Sequence, residues 1–147
     1  MIVKKNKSSK SLSFTLIDKN KPIDLQKAYK FLKNKKKKIS RICMHKNTKS
    51  NLHQMLIYQK KNYKSLIKFH PKKEKSYNLL KGKQNIYIYK KNGQLEKVIK
   101  LNLKDNFFFM EKNVIHSNET TSKDSFHIET IEGPLNNTDR IYIYEKK

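Results

Sequence analysis

Short strand-like segments follow one another at close, even spacing through most of the chain. After residue 38, runs rich in Ile, Leu, Tyr and Phe alternate with turn residues. Many short strands separated by turn signals favour a sandwich or barrel of the jelly-roll type. We therefore predict a mostly β fold. The predicted strands are residues 12–17, 39–45, 52–59, 63–69, 75–81, 84–90, 94–103, 107–110, 114–118, 125–131 and 140–144.

The dipeptide Asn92-Gly93 is the strongest hairpin signal in the chain. It separates two of the predicted strands. A two-residue turn of type I′ needs positive φ at both central positions, which Asn and Gly tolerate. The sequence therefore predicts a type I′ hairpin here, and a second glycine turn at Gly82-Lys83.

One helix is predicted near the N-terminus, before the strand-rich region. Pro22 and Asp24 mark the start of the helix, and Asp24 is the predicted N-cap. An apolar stripe at helical spacing follows, formed by Leu25, Ala28, Tyr29 and Leu32. Residues 1–10 are rich in Lys, Ser and Asn, and we expect them to be mobile. The predicted organisation is an N-terminal extension over residues 1–38 and a barrel over residues 39–147.

The formal net charge of +23 permits binding to nucleic acid or another polyanion. However, arginine occurs only at Arg41 and Arg140, and lysine carries the remaining positive charge. Lys, Asn, Ile, Tyr and Phe all have A/T-rich codons, so a biased genome accounts for the composition. Because arginine is the favoured residue for bidentate phosphate and base recognition, its scarcity argues against specific nucleic-acid readout.

The compartment expected from the sequence is the cytoplasm. The N-terminus has charges but no apolar run behind them, and no window approaches the length of a membrane span. The single cysteine, Cys43, excludes an intramolecular disulfide, and it lies in an apolar segment as a buried small side chain.

Several short motifs lie between Arg41 and Leu135. They are Arg41 to His45, Gln54 to Ile57, His70-Pro71 with Lys73 and Ser76-Tyr77, Gly82, Asn92-Gly93, Val114 to His116, and Glu129 to Leu135. In order and spacing these motifs resemble the WbuC family of small cupins, which are encoded among bacterial O-antigen and capsule biosynthesis genes. The resemblance implies a cupin-type double-stranded β-helix, a jelly-roll barrel preceded by a strand and a helix.

The family pattern implies a metal site that this sequence only partly keeps. The pattern is His-x-His-Pro, a glutamate five residues after the second histidine, and a later histidine. His70 and His116 match, whereas Lys68 and Lys75 replace the first histidine and the glutamate. With Glu74 at a shorter spacing, the implied metal ligands are His70, Glu74 and His116, for Zn, Ni, Mn or Fe. Two cavity lysines would repel such a cation, because a protonated lysine has no lone pair.

The later motif also departs from the family. Glu111 and Asn113 occupy places where cupins commonly have proline and glycine. Asn tolerates left-handed backbone geometry, so the turn can survive. Glu111 is a candidate to neutralise Lys68 or Lys75.

The resemblance further implies roles for individual residues. Lys68, Lys75 and Arg41 would bind a sugar-related small molecule, with a lysine holding a phosphate or an oxyanion. His70 or His116 would shuttle a proton in isomerisation or epimerisation of an activated sugar. We interpret His45, His53 and His127 as structural. The aromatic stripes are interpreted as core and subunit contact; they are Tyr87 with Tyr89, Phe107 to Phe109, and Tyr142 with Tyr144. The resemblance also implies a homodimer, because cupins often pair through their sheets and the edge strands here are apolar.

Two other function classes stay open at this point. The substituted ligand positions favour a non-catalytic ligand-binding or regulatory cupin. The net charge of +23 is also compatible with a basic nucleic-acid-binding module, whose binding would depend steeply on salt.

Overall fold

The computed structural model describes residues 1–7 and 11–143, which form strands and one helix. No helix within these two ranges is long and apolar enough to cross a membrane. In chain order the elements are β1 (Val3–Lys5), β2 (Leu12–Leu16), α1 (Leu25–Lys33), β3 (Ile39–Cys43), β4 (Leu52–Lys60), β5 (Lys68–Phe69), β6 (Lys75–Lys81), β7 (Gln84–Tyr89), β8 (Leu95–Leu101), β9 (Phe107–Met110), β10 (Ile115–Thr120), β11 (Asp124–Glu132) and β12 (Ile141–Tyr142).

The strands form two sheets. The larger sheet has the order β1-β2-β3-β4-β11-β6-β9, and the smaller has the order β12-β5-β10-β7-β8. Nearly all neighbours are antiparallel, but β2 pairs with β3 in parallel. The predicted jelly-roll β fold is confirmed. The predicted boundary after residue 38 stays a prediction, and the β2–β3 pairing carries the large sheet across it.

Helix α1 covers the outer face of the large sheet. Its predicted N-cap is confirmed, since the Asp24 carboxylate accepts a hydrogen bond of 2.9 Å from the Lys27 amide. Ala28 and Leu32 are fully buried, whereas Leu25 at the first position of the helix is 40% exposed. The helix packs against apolar side chains of four strands, namely Phe14, Leu16, Ile42, Leu56, Tyr58 and Phe126.

Strand β4 is buried on both faces because the helix covers one face and the barrel interior lies on the other. Leu56 and Tyr58 belong to the cluster under α1. Met55 and Ile57, at the alternate positions, belong to a separate apolar cluster with Cys43. A second large cluster fills part of the barrel and includes Tyr77, Leu79, Ile86, Ile88, Leu101 and Met110. The expected burial of Cys43 is therefore confirmed.

The turn at Asn92-Gly93 joins β7 to β8 as predicted, but its predicted type is wrong. Only Gly93 has positive φ, at 85°. The Lys90 amide donates to the Gln94 carbonyl at 2.9 Å, and the Gly93 amide donates to the Lys90 carbonyl at 2.9 Å. The loop therefore has three residues closed by a left-handed glycine, a geometry that also fits strand twist. The other glycine turn is confirmed, with Gly82 at φ 84°.

Three segments differ from the sequence prediction. The strand predicted over residues 63–69 reduces to β5, with an isolated bridge between Lys64 and Glu119 before it. Residues Val3–Lys5, which we expected to be mobile, pair with β2 as strand β1, while residues 8–10 lie outside the described residues. The predicted last strand reduces to β12, and Tyr144 lies outside the described residues.

Candidate functional site

Two hairpins distant in sequence meet at His70 and His116. Strand β5 pairs with β10 so that Lys68 lies opposite His116. The Asn113 amide donates a hydrogen bond of 2.8 Å to the His70 carbonyl, and Asn113 has the left-handed geometry predicted for it, with φ 64°. The two imidazole rings are stacked, with their centroids 6.1 Å apart.

Both imidazoles are buried and neutral. The Nδ1 atom of His70 lies 2.8 Å from the Asp139 carbonyl oxygen, and that of His116 lies 2.8 Å from the Val114 carbonyl oxygen. Each Nδ1–H therefore donates to the backbone, which leaves the Nε2 lone pair free. Burial lowers the pKa of His116 to about 2 and that of His70 to about 4, and the charge of Lys75 adds to both effects.

Lys75 and Glu129 form an ion pair inside the barrel. The Lys75 Nζ lies 3.6 Å from Glu129 Oε2 and 4.7 Å from the ring centroid of Tyr77, and Lys75 is only 3% exposed. Burial would raise the pKa of Glu129, but the charges of Lys75 and Lys68 outweigh it and hold that pKa well below its usual range. Burial lowers the pKa of Lys75. The carboxylate that faces the lysines is therefore Glu129, while Glu111 is exposed.

A cavity of about 150 Å³ opens beside this pair. Of the predicted ligand-binding residues, Arg41 and Lys68 line it, and Lys75 lies behind Glu129 without reaching its wall. Burial, followed by the nearby charge of Lys75, lowers the pKa of Lys68 to about 7. The lining residues are Ile39, Arg41, Ile57, Gln59, Tyr63, Ser65, Leu66, Lys68, Asn118, His127, Glu129, Arg140 and Tyr142.

Neither His70 nor His116 lines this cavity. His70 instead lines a neighbouring cavity of about 300 Å³, on the side of the segment that leads into β12. Arg140 and Tyr142 line both cavities, so they separate one from the other. The structure therefore brings the two imidazoles together but places neither in the lining of the 150 Å³ cavity.

An uncharged polar network adjoins the charged groups. The Gln84 Nε2 lies 3.0 Å from Gln59 Oε1, 2.8 Å from Ser125 Oγ and 2.9 Å from His127 Nδ1. Thr120 and Asn118 donate to the same Gln59 oxygen at 3.1 and 3.3 Å. Burial lowers the pKa of His127 to about 4. The predicted structural role of His127 is therefore incomplete, because its ring also forms part of the cavity wall.

Sequence reasoning did not select Glu129, Arg140, Gln59 and His127 as site residues. One signal points to Arg140. The chain has only two arginines among its many lysines, and both line this cavity. Arginine in a lysine-biased chain marks a position where the planar guanidinium is needed, since lysine offers no bidentate geometry.

Of the three predicted metal ligands, His70 and His116 lie together and Glu74 does not join them. Glu74 lies at the start of the β6–β11 ladder, where its amide donates a 3.0 Å hydrogen bond to Glu132. Across residues 1–7 and 11–143, no group of three or more His, Cys, Asp or Glu side chains could hold a metal ion. Of the charged groups, Lys75 acts most strongly on both imidazoles. Because its positive charge would repel a divalent cation bound there, the residues present do not fit such a cation.

Buried polar atoms without hydrogen-bond partners concentrate around this site. Such atoms normally have partners in folded proteins, and each exception needs an explanation. Within the described part of the chain, nine are unpartnered, and only two of them, on His45 and Asn78, belong to residues outside the clusters described above. The other seven are Arg41 Nε, Lys75 Nζ, Tyr77 Oη, Gln84 Oε1, His116 Nε2, His127 Nε2 and Arg140 Nε.

No family model matches the chain, and no curated protein matches it in sequence. Solved structures do match its fold. DMSP lyase DddQ from Ruegeria pomeroyi DSS-3 superposes with a TM-score of 0.59 at 15% identity, over 75% of this chain and 54% of that chain. The capsular polysaccharide assembling protein CapF from Staphylococcus aureus gives 0.57 at 13% identity, over 71% and 31%.

Oxalate decarboxylase from Bacillus subtilis gives a TM-score of 0.53 at 10% identity, over 63% of this chain and 24% of that chain. This chain therefore covers between a quarter and about half of the length of these proteins. At such low identity the likeness establishes the fold alone, and that fold is the cupin barrel.

Proposed function

We propose that the protein is a WbuC-type cupin of bacterial surface polysaccharide synthesis that binds a small, negatively charged, sugar-related ligand in the barrel cavity. The carrying observation is that two guanidinium groups, a lysine whose pKa is about 7, and one carboxylate line this cavity. The resemblance of the motifs to the WbuC family supports the link to polysaccharides, and so does the likeness in fold to CapF.

The charge balance favours an anion. Arg41, Lys68 and Arg140 line the cavity against Glu129, and the Lys75–Glu129 pair already engages that carboxylate. Uncompensated positive charge in a half-dry cavity is costly, and an anionic ligand relieves it. The two guanidinium groups suit a carboxylate or a phosphate, which they can bind through paired N–H donors.

The uncharged groups favour a hydroxylated ligand. Gln59, Asn118 and His127 line the same cavity and offer amide and imidazole groups to hydroxyls. On β11, His127 and Glu129 lie two residues apart on one face, a separation of about 7 Å. A sugar with an anionic group at one end would match both parts of the cavity.

The size of the cavity limits the ligand. At about 150 Å³ it is below the roughly 300 Å³ at which pockets for drug-sized ligands begin. A single sugar unit suits this volume. A nucleotide-sugar would enter with its sugar end, and its nucleotide would lie outside.

Calorimetric titration of the full chain tests the proposal. A uronic acid and a hexose phosphate should bind more tightly than the neutral hexose. Arg140→Gln should weaken binding of the anionic sugar by roughly 10- to 100-fold, because it removes a charge-assisted contact. Lys97→Gln, which removes one exposed charge on β8, is the matched control and should leave the affinity unchanged. Equal binding of neutral and anionic sugars would refute the proposal.

A second candidate function is isomerisation or epimerisation of an activated sugar. The observation that favours it is the buried, unpartnered Nε2 of His116, stacked against His70. A neutral imidazole with a free lone pair can accept a proton. This candidate ranks second because the lowered pKa of His116 makes it a weak base and its ring does not line the cavity. His70→Ala and His116→Ala would then abolish turnover, whereas a non-catalytic binding or regulatory cupin would show altered affinity alone.

Binding to DNA or RNA that weakens steeply with salt, together with no sugar binding, would instead favour the basic nucleic-acid-binding module.

We also propose that the chain forms a homodimer in the cytoplasm. Phe107 and Phe109 on β9 are 61% and 52% exposed, while Phe108 between them packs against the barrel core. Strand β9 is an edge of the large sheet, so these two rings support a contact between subunits. The Phe107→Ser and Phe109→Ser double variant should elute as a monomer if the wild-type chain is a dimer by light scattering.

A further inference from the structure

The four positions at which the WbuC resemblance implies metal ligands come together in space. They hold Lys68, His70, Lys75 and His116. Lys68 lies directly opposite His116 in the β5–β10 pairing, and the two imidazole rings are 6.1 Å apart. Beyond burial, Lys75 is the strongest influence on both imidazoles. The barrel therefore keeps the four ligand positions close together, but two of them hold lysine instead of the histidine and glutamate of the family pattern.

Lys75 is held as an internal cation. Its side chain is 1% exposed, and its Nζ faces the Glu129 carboxylate at 3.6 Å. Among the described residues, its Nζ has no hydrogen-bond partner, and neither does the Nε2 of His116. An ammonium group offers hydrogen-bond donors and no lone pair, so it can complement an imidazole nitrogen but cannot ligate a metal.

We propose that the Lys75 ammonium is a built-in cation that takes the place and the charge of a metal ion in this barrel, with Glu129 as its counterion. A divalent cation near Lys75 and Lys68 would meet like charges at short range in a medium of low dielectric constant. The site therefore works without metal. This inference goes beyond the proposed function, because it does not depend on which ligand enters the cavity.

The proposal predicts that two substitutions can create a metal site in this barrel. Substituting Lys68→His and Lys75→Glu together removes both like charges and supplies the two side chains that the pattern lacks. With His70 and His116 in place, three imidazoles and one carboxylate would occupy the four positions of the pattern. Such a set suits divalent first-row metals. Two substitutions should therefore convert the site into a metal centre.

The test compares the full-length wild-type chain with the Lys68→His/Lys75→Glu variant. Each is incubated with Zn²⁺ or Ni²⁺. The Tm is measured with the metal present, and the metal content is measured by mass spectrometry after desalting. The wild-type chain should keep only substoichiometric metal and show no shift in Tm. The variant should hold close to one ion per chain, and its Tm should rise by roughly 5 to 10 °C at a hundredfold excess over the dissociation constant.

Three further variants isolate the cause. Lys68→His alone keeps the Lys75 ammonium and should stay metal-free, which separates the effect of Lys75 from that of one added histidine. His116→Ala in the double variant should abolish metal retention. If the added carboxylate prevents folding beside Glu129, the Lys68→His/Lys75→Glu/Glu129→Gln variant supplies the same four ligands without the extra charge.

Two results would overturn the proposal. One is a wild-type chain that retains about one metal ion in a manner dependent on His70 and His116. The other is a folded double or triple variant that binds no more metal than the wild-type chain. Neither readout involves a sugar, so failure here is distinguishable from failure of the anionic-sugar proposal.

Discussion

Strands β4 and β11 bury side chains on both faces, and the polar groups of the cavity lie on the inner face among apolar neighbours such as Ile57. Toward α1, Leu56, Tyr58 and Phe126 join one apolar cluster. Toward the barrel interior, Gln59, His127 and Glu129 line the cavity. The outer face stabilises the fold through apolar burial. The inner face carries desolvated polar groups, which cost stability unless they are paired. Substitutions on the two faces should therefore separate stability from ligand binding.

The largest expected effect is on the inner face, where Glu129→Gln would leave the Lys75 ammonium buried without its carboxylate. Removing one partner of a buried ion pair costs about 3 to 5 kcal/mol. Urea denaturation should show this loss in the free energy of unfolding. The Glu129→Gln/Lys75→Met double variant should recover most of it, because no buried charge is left unpaired. A single variant as stable as the wild-type chain would show that the pair contributes nothing.

On the outer face, Leu32→Ala should lower the free energy of unfolding by about 2 to 4 kcal/mol, since Leu32 is fully buried and its truncation leaves a cavity. Affinity for an anionic sugar should not change. Leu52→Ala is the control, because Leu52 is 57% exposed and its truncation should stay within about 0.5 kcal/mol. Loss of ligand affinity in Leu32→Ala would mean that the two faces are coupled.

The buried histidines of the inner face should make stability depend on pH, and so should His45, whose pKa burial lowers to about 4. In the folded chain burial lowers the pKa of His70 and His127 from 6.5 to about 4 and that of His116 to about 2. Between those values and 6.5 the unfolded chain binds protons that the folded chain does not. Stability should therefore fall as the pH drops from 6.5 toward 4, and for His116 further toward 2.

The variant His127→Gln removes one of the histidines whose pKa differs between the folded and the unfolded chain. It should reduce the slope of stability against pH, between pH 6.5 and 4, by up to about 1.4 kcal/mol per pH unit. Urea midpoints measured at several pH values between 4.5 and 7 give this slope. An unchanged slope would mean that His127 is protonated to the same extent in both states.

The smallest expected effect lies at the start of α1. Asp24→Ala removes the N-cap hydrogen bond to the Lys27 amide and should cost about 1 kcal/mol. Asp24→Asn keeps an acceptor and should cost little. Thermal denaturation resolves the difference. Neither change should alter the slope of stability against pH between pH 4.5 and 7, because the hydrogen bond from the Lys27 amide lowers the pKa of Asp24 from 3.8 and places its titration below that window.

Local sequence patterns determined much of the architecture. The spacing of strands and turns predicted the β fold, Asp24 predicted the helix start, and Asn113 predicted a left-handed turn. These features depend on residues close together in the chain, where backbone preferences act directly. The motif resemblance added His70 and His116, whose rings lie stacked with their centroids 6.1 Å apart.

Only the tertiary structure selected the groups that line the cavity. Residues 124–127 of β11 are all buried, so alternation of polar and apolar side chains cannot reveal which face looks into the barrel. Glu129 meets Lys75 because β11 lies between β4 and β6, pairing segments that are distant in sequence. A carboxylate placed by such pairing, rather than Glu111 beside the later motif, neutralises the lysines. Strand partners are chosen by global packing, and no local pattern encodes them.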